Sequence, residues 1–488
     1  MSHKYIAIDL GAESGRVMLG ELSAGGIALT EAHRFPNLQI KVPHAGGETM
    51  HWDILRLWHE IKTGLAKIAN DGHRVEGIAV DVWGVDFALL DETGALVGNP
   101  ICYRDPRTDG MVDAVFAKLP KEKIYAATGI QTMALNTLFQ LAALSYKKSP
   151  QLPRTKHILF LPDLFSYWLS GKMGTEYTIA STSQMLDART RQWSPEVLAA
   201  IGLNPALFPP IQFPGNRDSV RGTLLPSANE KLAAQTGGGV KVIAVGSHDT
   251  ASAVAAVPAE DTKGDWLYLS SGTWSLLGAE VDQPVLTPKA AEYNVTNEGG
   301  ISGAGGGKIR LLKNIAGLFL LQECKRDWSR QGQDFDYATL TKLAETAAPK
   351  IATLDMNDPA FSTTGDMPNK IIAHCQRSHQ KSPATPGEFA RVILESLAHS
   401  YALVTRMLEE LTGKKFKTLH IVGGGSQNDL LNQLAANATG ITVLAGPVEA
   451  TALGNIMTQA VTLGHLESLA AGRDLVRRTA SVKKFVPG

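Results

Sequence analysis

The stretch Asp9-Leu-Gly-Ala-Glu-Ser-Gly-Arg16 lies between two apolar runs, Tyr5-Ile-Ala-Ile8 and Val17-Met-Leu19, and reads as the tight turn of a β-hairpin. Gly11 and Gly15 leave the main chain bare, Ser14 adds a hydroxyl, Arg16 adds a fixed cation, and Asp9 sits at the strand end. Exposed N–H groups beside one hydroxyl and one guanidinium suit a polyphosphate. A carboxylate next to them can hold Mg2+, usually through its waters, which makes Asp9 the candidate metal residue. An ordinary Gly-containing hairpin would look the same in isolation, so the rest of the chain has to decide.

Working outward, a third strand is expected near Ile27–Arg34. An amphipathic helix from about Ile54 to Ala69 follows, with Leu55, Leu57, Trp58, Ile61, Leu65 and Ile68 near helical spacing, and then a strand at Gly77–Gly84. The pattern recurs later. Trp266–Ser271 leads into Gly272-Thr273, and Trp274–Glu280 leaves as a second strand. A long helix over Pro386–Thr412 opens on a capping box of Thr385 and Glu388 and stops at Gly413. The strand Thr418–Val422 then runs into Gly423-Gly-Gly425. Each half reads hairpin, helix, strand, Gly-rich end, so a duplicated α/β domain is expected. With 488 residues the chain exceeds one hydrophobic core, which stops growing at roughly 250–300 residues. The expected lobes are 1–246 and 247–488, facing each other across a central cleft.

Lys+Arg and Asp+Glu both count 47, so the net charge is zero and no field favours nucleic acid or an anionic membrane. No apolar run is long enough to span a bilayer, and no basic segment followed by an apolar stretch opens the sequence. Cys102, Cys324 and Cys375 form no CxxC pair, which points to a reducing compartment and away from a metal-thiolate site. A cytoplasmic protein is expected, with no nucleic acid, membrane or protein partner implied.

Several segments carry chemistry. Asp249, in Gly246-Ser-His-Asp-Thr-Ala-Ser-Ala253, follows the apolar strand Val242–Val245. It is either the cap of the following helix or a base accepting a proton from a bound hydroxyl. His248 is the rival base, since its ordinary pKa suits neutral pH, but phosphoryl transfer to an alcohol needs orientation more than basicity. Ser270-Ser-Gly-Thr-Trp274 offers a second phosphate turn, with Thr273 as its candidate residue. Gly423-Gly-Gly425 permits close backbone approach, and Ser426 with Asp429 reads as a capping box opening a helix that Gly440 stops. Asp81-Val-Trp-Gly-Val-Asp-Phe87 mixes acid, aromatic and glycine as sugar sites do, with Asp86 a candidate acceptor for hydroxyls and Phe87 a core residue. Gly303-Ala-Gly-Gly-Gly-Lys-Ile309 mimics a P-loop but fails it, because Ser302 and Ile309 stand where Gly and Ser or Thr are required.

Together the N-terminal hairpin, the second turn in a repeated lobe and the late Gly-rich strand–helix resemble the superfamily of actin, heat-shock chaperone ATPases and sugar kinases. Within it the chain resembles the FGGY carbohydrate kinases, through Asp9–Arg16, Asp81–Asp91, Ser247–Val254, Tyr268–Gly278, Asn294–Gly300, Leu311–Gln322, Ile421–Asn428 and Ala445–Asn455. The resemblance implies two duplicated RNase H-like domains of the actin ATPase type, with ATP and Mg2+ as cofactors and a ketose as acceptor. It implies that Ala12, Glu13, Ser14, Gly15, Arg16 and Thr273 contact ATP phosphates, while Gln322 and Gly424 lie along the nucleotide. Gly84, His248, Asp249, Thr250 and Asn314 would line the sugar site, with Asp249 as base. Glu13 departs from the small or hydroxyl residue expected beside phosphates, so its side chain is left out of the chemistry. Tyr103-Arg-Asp-Pro-Arg107 stands where many sugar kinases carry a Trp-containing motif. A non-enzymatic ATP switch would share the phosphate turns but would not need Asp249 or Asp81–Phe87.

Overall fold

His3–Leu10 and Ser14–Ser23 pair antiparallel, Asp9 opposite Arg16 and Leu10 opposite Gly15, so the opening stretch forms the hairpin turn. This is a computed structural model that describes residues 2–235, 239–260, 264–301 and 307–488. Part of Gly237-Gly-Gly239 and most of the P-loop mimic at Gly303–Gly307 lie outside the described residues.

Gly26–Pro36 extends the hairpin as a third antiparallel strand. On its other side His3–Leu10 runs parallel to Gly77–Val82, which places Asp9 beside Asp81. Lys241–Ile243 adds a further parallel strand, and Val220–Thr223 closes the edge antiparallel. A second sheet repeats this order. Trp266–Ser271 pairs antiparallel with Trp274–Val281 and parallel with Thr418–Val422. Thr442–Ala445 is parallel to the latter, and Lys483–Phe485 is the antiparallel edge. Ile309–Ala316 takes the place beyond Trp274–Val281. The same succession of parallel and antiparallel neighbours appears twice, and this is the expected duplication.

The chain forms two compact units. One is Met1–Pro258 with Glu280–Leu311 and Ala450–Thr479; the other is Ala259–Ala279 with Leu312–Glu449 and Ala480–Gly488. They interleave along the sequence instead of dividing once between 246 and 247. The physical reason lies in what the late segments bury. A Cβ on Gly20 would meet Ile456 of the helix Ala450–Leu463 at 2.6 Å, and one on Gly454 would meet the Ser252 carbonyl at 1.8 Å. Arg473 grips Glu280 with two bonds of 2.9 and 3.0 Å.

Ile54–Asn70 covers the other face of the first sheet, capped by Asp53, whose side chain accepts from the Arg56 amide at 3.2 Å. Ile54, Leu57, Ile61, Leu65 and Ile68 are buried, each contributing about 1.5–3 kcal/mol. Leu55, expected on that stripe, is 63 % exposed, because Ile54 takes the inward position. In the second unit the capping box of Thr385 and Glu388 is present, and Gly413 ends Pro386–Thr412 in the left-handed region. Cys102, Cys324 and Cys375 are buried free thiols. Among the described residues no helix is long and apolar enough to cross a membrane.

Candidate active site

Parallel strands end their runs on one side of a sheet, and in open α/β sheets that side carries the ligands. In the first unit three carboxylates gather there: Asp9 and Asp81 at paired strand positions, and Asp249 just after the next strand. Asp9 is 5 % exposed and holds the Arg16 guanidinium through Oδ2. The turn itself is held from behind. Asn37 donates from its backbone N–H to the Glu13 carbonyl and from Nδ2 to the Gly11 carbonyl, both at 2.9 Å. Gln39 donates to the Ala12 carbonyl at 3.4 Å. Fixing three successive carbonyls this way holds the Gly-rich turn in one shape.

Asp81 is fully buried; Asn455 donates to its Oδ2 at 2.6 Å, and its Oδ1 has no partner among the described residues. Burial pushes the Asp81 carboxyl well above the usual carboxylate range, and the charges of Asp9 and Asp249 add to the rise. Asp249 is the first residue of the helix Asp249–Ala255, and His248 takes the cap position without a side-chain cap bond. Capping therefore does not account for the Asp249 carboxylate. Its Oδ1 accepts from the Thr250 amide at 2.5 Å and the Thr250 hydroxyl at 3.0 Å, while 30 % of the side chain stays accessible. Burial raises its pKa, His248 lowers it and Asp9 raises it.

His248 is pinned on three sides. Its amide donates to the Thr178 hydroxyl at 3.2 Å, and its Nδ1 lies 3.1 Å from Glu298 and 3.3 Å from the Arg310 guanidinium. Its Nε2 faces Asp249 at 3.5 Å. Arg310 is fully buried, pairs with Glu298 at 3.1 Å and donates to the Gly299 carbonyl at 2.8 Å. Behind them Glu176 accepts from the Ser247 amide at 3.1 Å as well as from Thr178 and Ile179. Gly84 belongs to the same group, because a Cβ there would stand 3.3 Å from His248 Nε2. The structure thus brings Asp9, Ala12–Arg16, Gly84, His248, Asp249 and Thr250 together in one unit.

Asp86 is a buried acceptor with one oxygen engaged by indoles, while its Oδ1 has no partner among the described residues. Its Oδ2 takes both indole N–H groups, Trp52 at 2.6 Å and Trp83 at 2.9 Å, inside a buried aromatic cluster with Tyr103. Phe87 is a core residue, as expected, and Arg107 of the Tyr103–Arg107 segment is half-buried and donates to Gln140 Oε1.

Thr273, Gln322, Gly424 and Asn314 belong to the other unit. The Thr273 carbonyl accepts from Gly317 at 3.1 Å and from Phe319 at 3.2 Å, which seats the turn on the first residues of the helix Phe319–Arg330. Gln322 lies one turn into that helix, and its buried Oε1 has no partner among the described residues. Of the three late glycines, a Cβ on Gly423 would press on Ser271 at 3.0 Å and one on Gly425 at 2.0 Å. Gly424 is exposed with nothing within 4 Å of its Cβ position, open to a ligand. Asn314 is half-buried on Ile309–Ala316. The expected Ser426–Asp429 capping box does not form: Ser426 lies in the short turn Gly424–Gln427, and Asn428 caps Asp429–Thr439 instead. Asn428 also accepts from a backbone amide three residues on, so it meets the same need one step closer to the helix.

Glu298, Arg310, Glu176 and Asn455 were not singled out from sequence. A charged residue inside an apolar strand, as in Ile309-Arg-Leu-Leu312, was the available signal, since such a residue is rarely buried unpaired.

The profile of the FGGY family of carbohydrate kinases, N-terminal domain, matches residues 4–256, and that of the C-terminal domain matches residues 267–463. Over all 488 residues the chain is 44 % identical to a rhamnulokinase of Bacteroides thetaiotaomicron, covering 96 % of it. Another rhamnulokinase, of Halalkalibacterium halodurans, is 40 % identical, with 99 % of this chain and 98 % of the relative aligned. In fold the chain is similar to a gluconate kinase from Lactobacillus acidophilus (TM-score 0.78, 18 % identity, 100 % and 94 % covered). It is also similar to Plasmodium falciparum glycerol kinase with ADP (TM-score 0.76, 16 % identity, 99 % and 94 % covered). With both domain profiles matched in order and relatives aligned from end to end, this chain belongs to the FGGY family of carbohydrate kinases.

Proposed function

We propose that this carbohydrate kinase transfers the γ-phosphoryl group of ATP to the C1 hydroxyl of L-rhamnulose, giving L-rhamnulose 1-phosphate and ADP in L-rhamnose breakdown. The observation that carries the reaction is Asp249, the accessible carboxylate among buried ones, held by Thr250 and flanked by His248. The sugar's name rests on the relatives at 38–44 % identity over nearly the whole chain.

In this reading Asp249 orients the C1 hydroxyl and takes its proton as the oxygen attacks phosphorus, the role an aspartate fills in protein kinases. Burial raises the Asp249 pKa above the ordinary carboxylate value, which makes it a stronger base than an exposed aspartate. Gly84, His248, Thr250 and Asn314 complete the sugar site. Ala12, Glu13 (through its backbone), Ser14, Gly15, Arg16 and Thr273 hold the phosphates, and Gln322 and Gly424 hold the rest of the nucleotide. The unit that holds Asp9 and Asp249 would carry the sugar and phosphate side, and the unit that holds Gln322 and Gly424 the nucleotide side. The donor set also fits Mg2+: Asp9 lies beside the orphaned Oδ1 of Asp81, and a hydrated cation satisfies such oxygens. When bound, the ion neutralises charge on the β- and γ-phosphates. Asp9 would hold it through water, while Arg16 keeps Asp9 in place.

ADP release from MgATP with L-rhamnulose, L-fuculose, L-ribulose, D-xylulose and glycerol tests the substrate. The highest kcat/KM should fall on L-rhamnulose; preference for another ketose overturns the sugar and leaves the base. Asp249→Asn should lower kcat by about 10²–10⁴ with ATP binding unchanged. Near-normal turnover in that variant would sink the base assignment.

A further inference from the structure

At the opposite end of the first sheet from the carboxylates, His3, Glu76 and His465 converge. His3 opens the strand that ends near Asp9, and Glu76 precedes the parallel strand that ends near Asp81. Six residues of strand separate the two ends, roughly 20 Å at 3.3 Å per residue. The Glu76 amide donates to the Lys4 carbonyl at 2.8 Å, which sets Glu76 beside His3. His465 arrives from the turn after the helix Ala450–Leu463, where its amide donates to the Ala460 carbonyl at 2.8 Å. Three distant stretches of chain therefore bring one side chain each to one spot.

Each carboxylate oxygen of Glu76 faces one imidazole: Oε1 lies 2.8 Å from His3 Nδ1, and Oε2 lies 3.3 Å from His465 Nε2. The rings stack with centroids 3.8 Å apart and planes 11° from parallel. One ligand atom from each of the three residues lies within 4.8 Å of the other two. On its far side His465 Nδ1 meets the Tyr5 hydroxyl at 2.6 Å, and the Tyr5 ring is fully buried. An outer hydrogen bond on the second ring nitrogen is what fixes the tautomer and direction of a metal-bound histidine. The three side chains remain 29 %, 36 % and 22 % exposed, so an aqueous ion has a path to them.

From this geometry we propose that His3, Glu76 and His465 form a binding site for a borderline divalent cation of the Zn2+ class. Two imidazole nitrogens and one carboxylate oxygen are a set that Zn2+ takes with water in the fourth position. Mg2+ and Ca2+ prefer all-oxygen shells and are excluded by the same chemistry. Because the two rings stack face to face, binding an ion would turn them toward it as their hydrogen bonds to Glu76 yield. The ion would clamp the first strand to the end of a helix near the other end of the chain, a structural role separate from phosphoryl transfer.

The test uses the full chain without an affinity tag, stripped with chelator, and titrated with Zn2+ by calorimetry in excess Mg2+. Co2+ in place of Zn2+ reports coordination through its visible bands. One ion per chain at micromolar affinity or tighter is expected, with a rise in melting temperature. His3→Gln should weaken binding by about tenfold or more while kinase turnover, measured in Mg2+, stays unchanged. His465→Ala should do the same, and if it fails to fold for loss of the Tyr5 bond, His3→Gln still decides. Absence of stoichiometric binding, or equal affinity in His3→Gln and the parent protein, overturns the site.

Discussion

Arg310→Met is the most revealing change to make in this kinase. Arg310 is fully buried, and its guanidinium is the cation 3.1 Å from Glu298, itself only 4 % exposed. Met keeps most of the volume and removes the charge, so Glu298 and His248 are left facing each other without it. Breaking a buried pair by removing one partner costs about 3–5 kcal/mol, whereas replacing both partners by neutral groups is often near neutral. Arg310→Met alone should therefore lose several kcal/mol, and Arg310→Met/Glu298→Gln should recover about 2 kcal/mol or more of it. Urea unfolding followed by tryptophan fluorescence measures both, with Glu298→Gln completing the cycle. Turnover adds a second readout. His248 touches Asp249 and takes its position from Glu298, so kcat should fall in Arg310→Met while KM for ATP holds. Additive single effects, with no coupling energy, would refute the reasoning that this ion pair orients His248.

Gly454→Ala should destabilise and slow the enzyme together. Its Cβ would lie 1.8 Å from the Ser252 carbonyl oxygen and 2.6 Å from the carbonyl carbon. Backbone cannot swing aside, so the helices must part by roughly 1.5 Å to reach van der Waals contact, at about 1–3 kcal/mol or more; an unchanged melting temperature would contradict this. A second expectation concerns pH. Burial pushes Glu176 up to about 7, and Asp86 and Asp163 up to about 6. The folded protein therefore binds more protons than the unfolded chain between the ordinary carboxylate range and pH 7. Their stabilising contribution is full in acid and is lost as pH rises through 6 and 7. Urea midpoints from pH 5 to 8 should fall, and Glu176→Gln should flatten the slope; a rising profile in the parent protein would reject this balance.

The hairpin, the long capped helix and the duplicated order were legible because each leaves a local mark: an apolar run, a capping box, a glycine where the left-handed region is needed. The turn at Asp9–Arg16 was legible for the same reason, as eight consecutive residues of one hairpin form it. What stayed hidden depends on contacts between distant segments. That Trp52 and Trp83 both donate to Asp86 Oδ2 could not be read from the sequence, because Trp52 is more than thirty residues away. Ser426 reads as a cap because its spacing to Asp429 is right, and only the turn at Gly424–Gln427 shows that Asn428 does the work. The return of Ala450–Leu463 to the first unit has no local sign at all, since any amphipathic helix could have packed elsewhere.

Three of the places where the sequence breaks a local rule belong to the unit that holds Asp249. Asp81 sits inside an otherwise apolar strand, Arg310 inside another, and Val85 adopts φ 69°, a conformation that is costly for a β-branched residue. Val85 is kept there by its amide on the Thr182 hydroxyl at 3.3 Å and by its carbonyl accepting from Thr137 at 2.7 Å. Its neighbour Gly84 then meets His248 with no side chain between them. Each departure costs stability and persists because the surrounding contacts fix it. Mutual repulsion among Asp9, Asp81 and Asp249 is a further cost in the free protein. A cation bound beside them would relieve that repulsion, so the carboxylates that cost stability would also favour its binding.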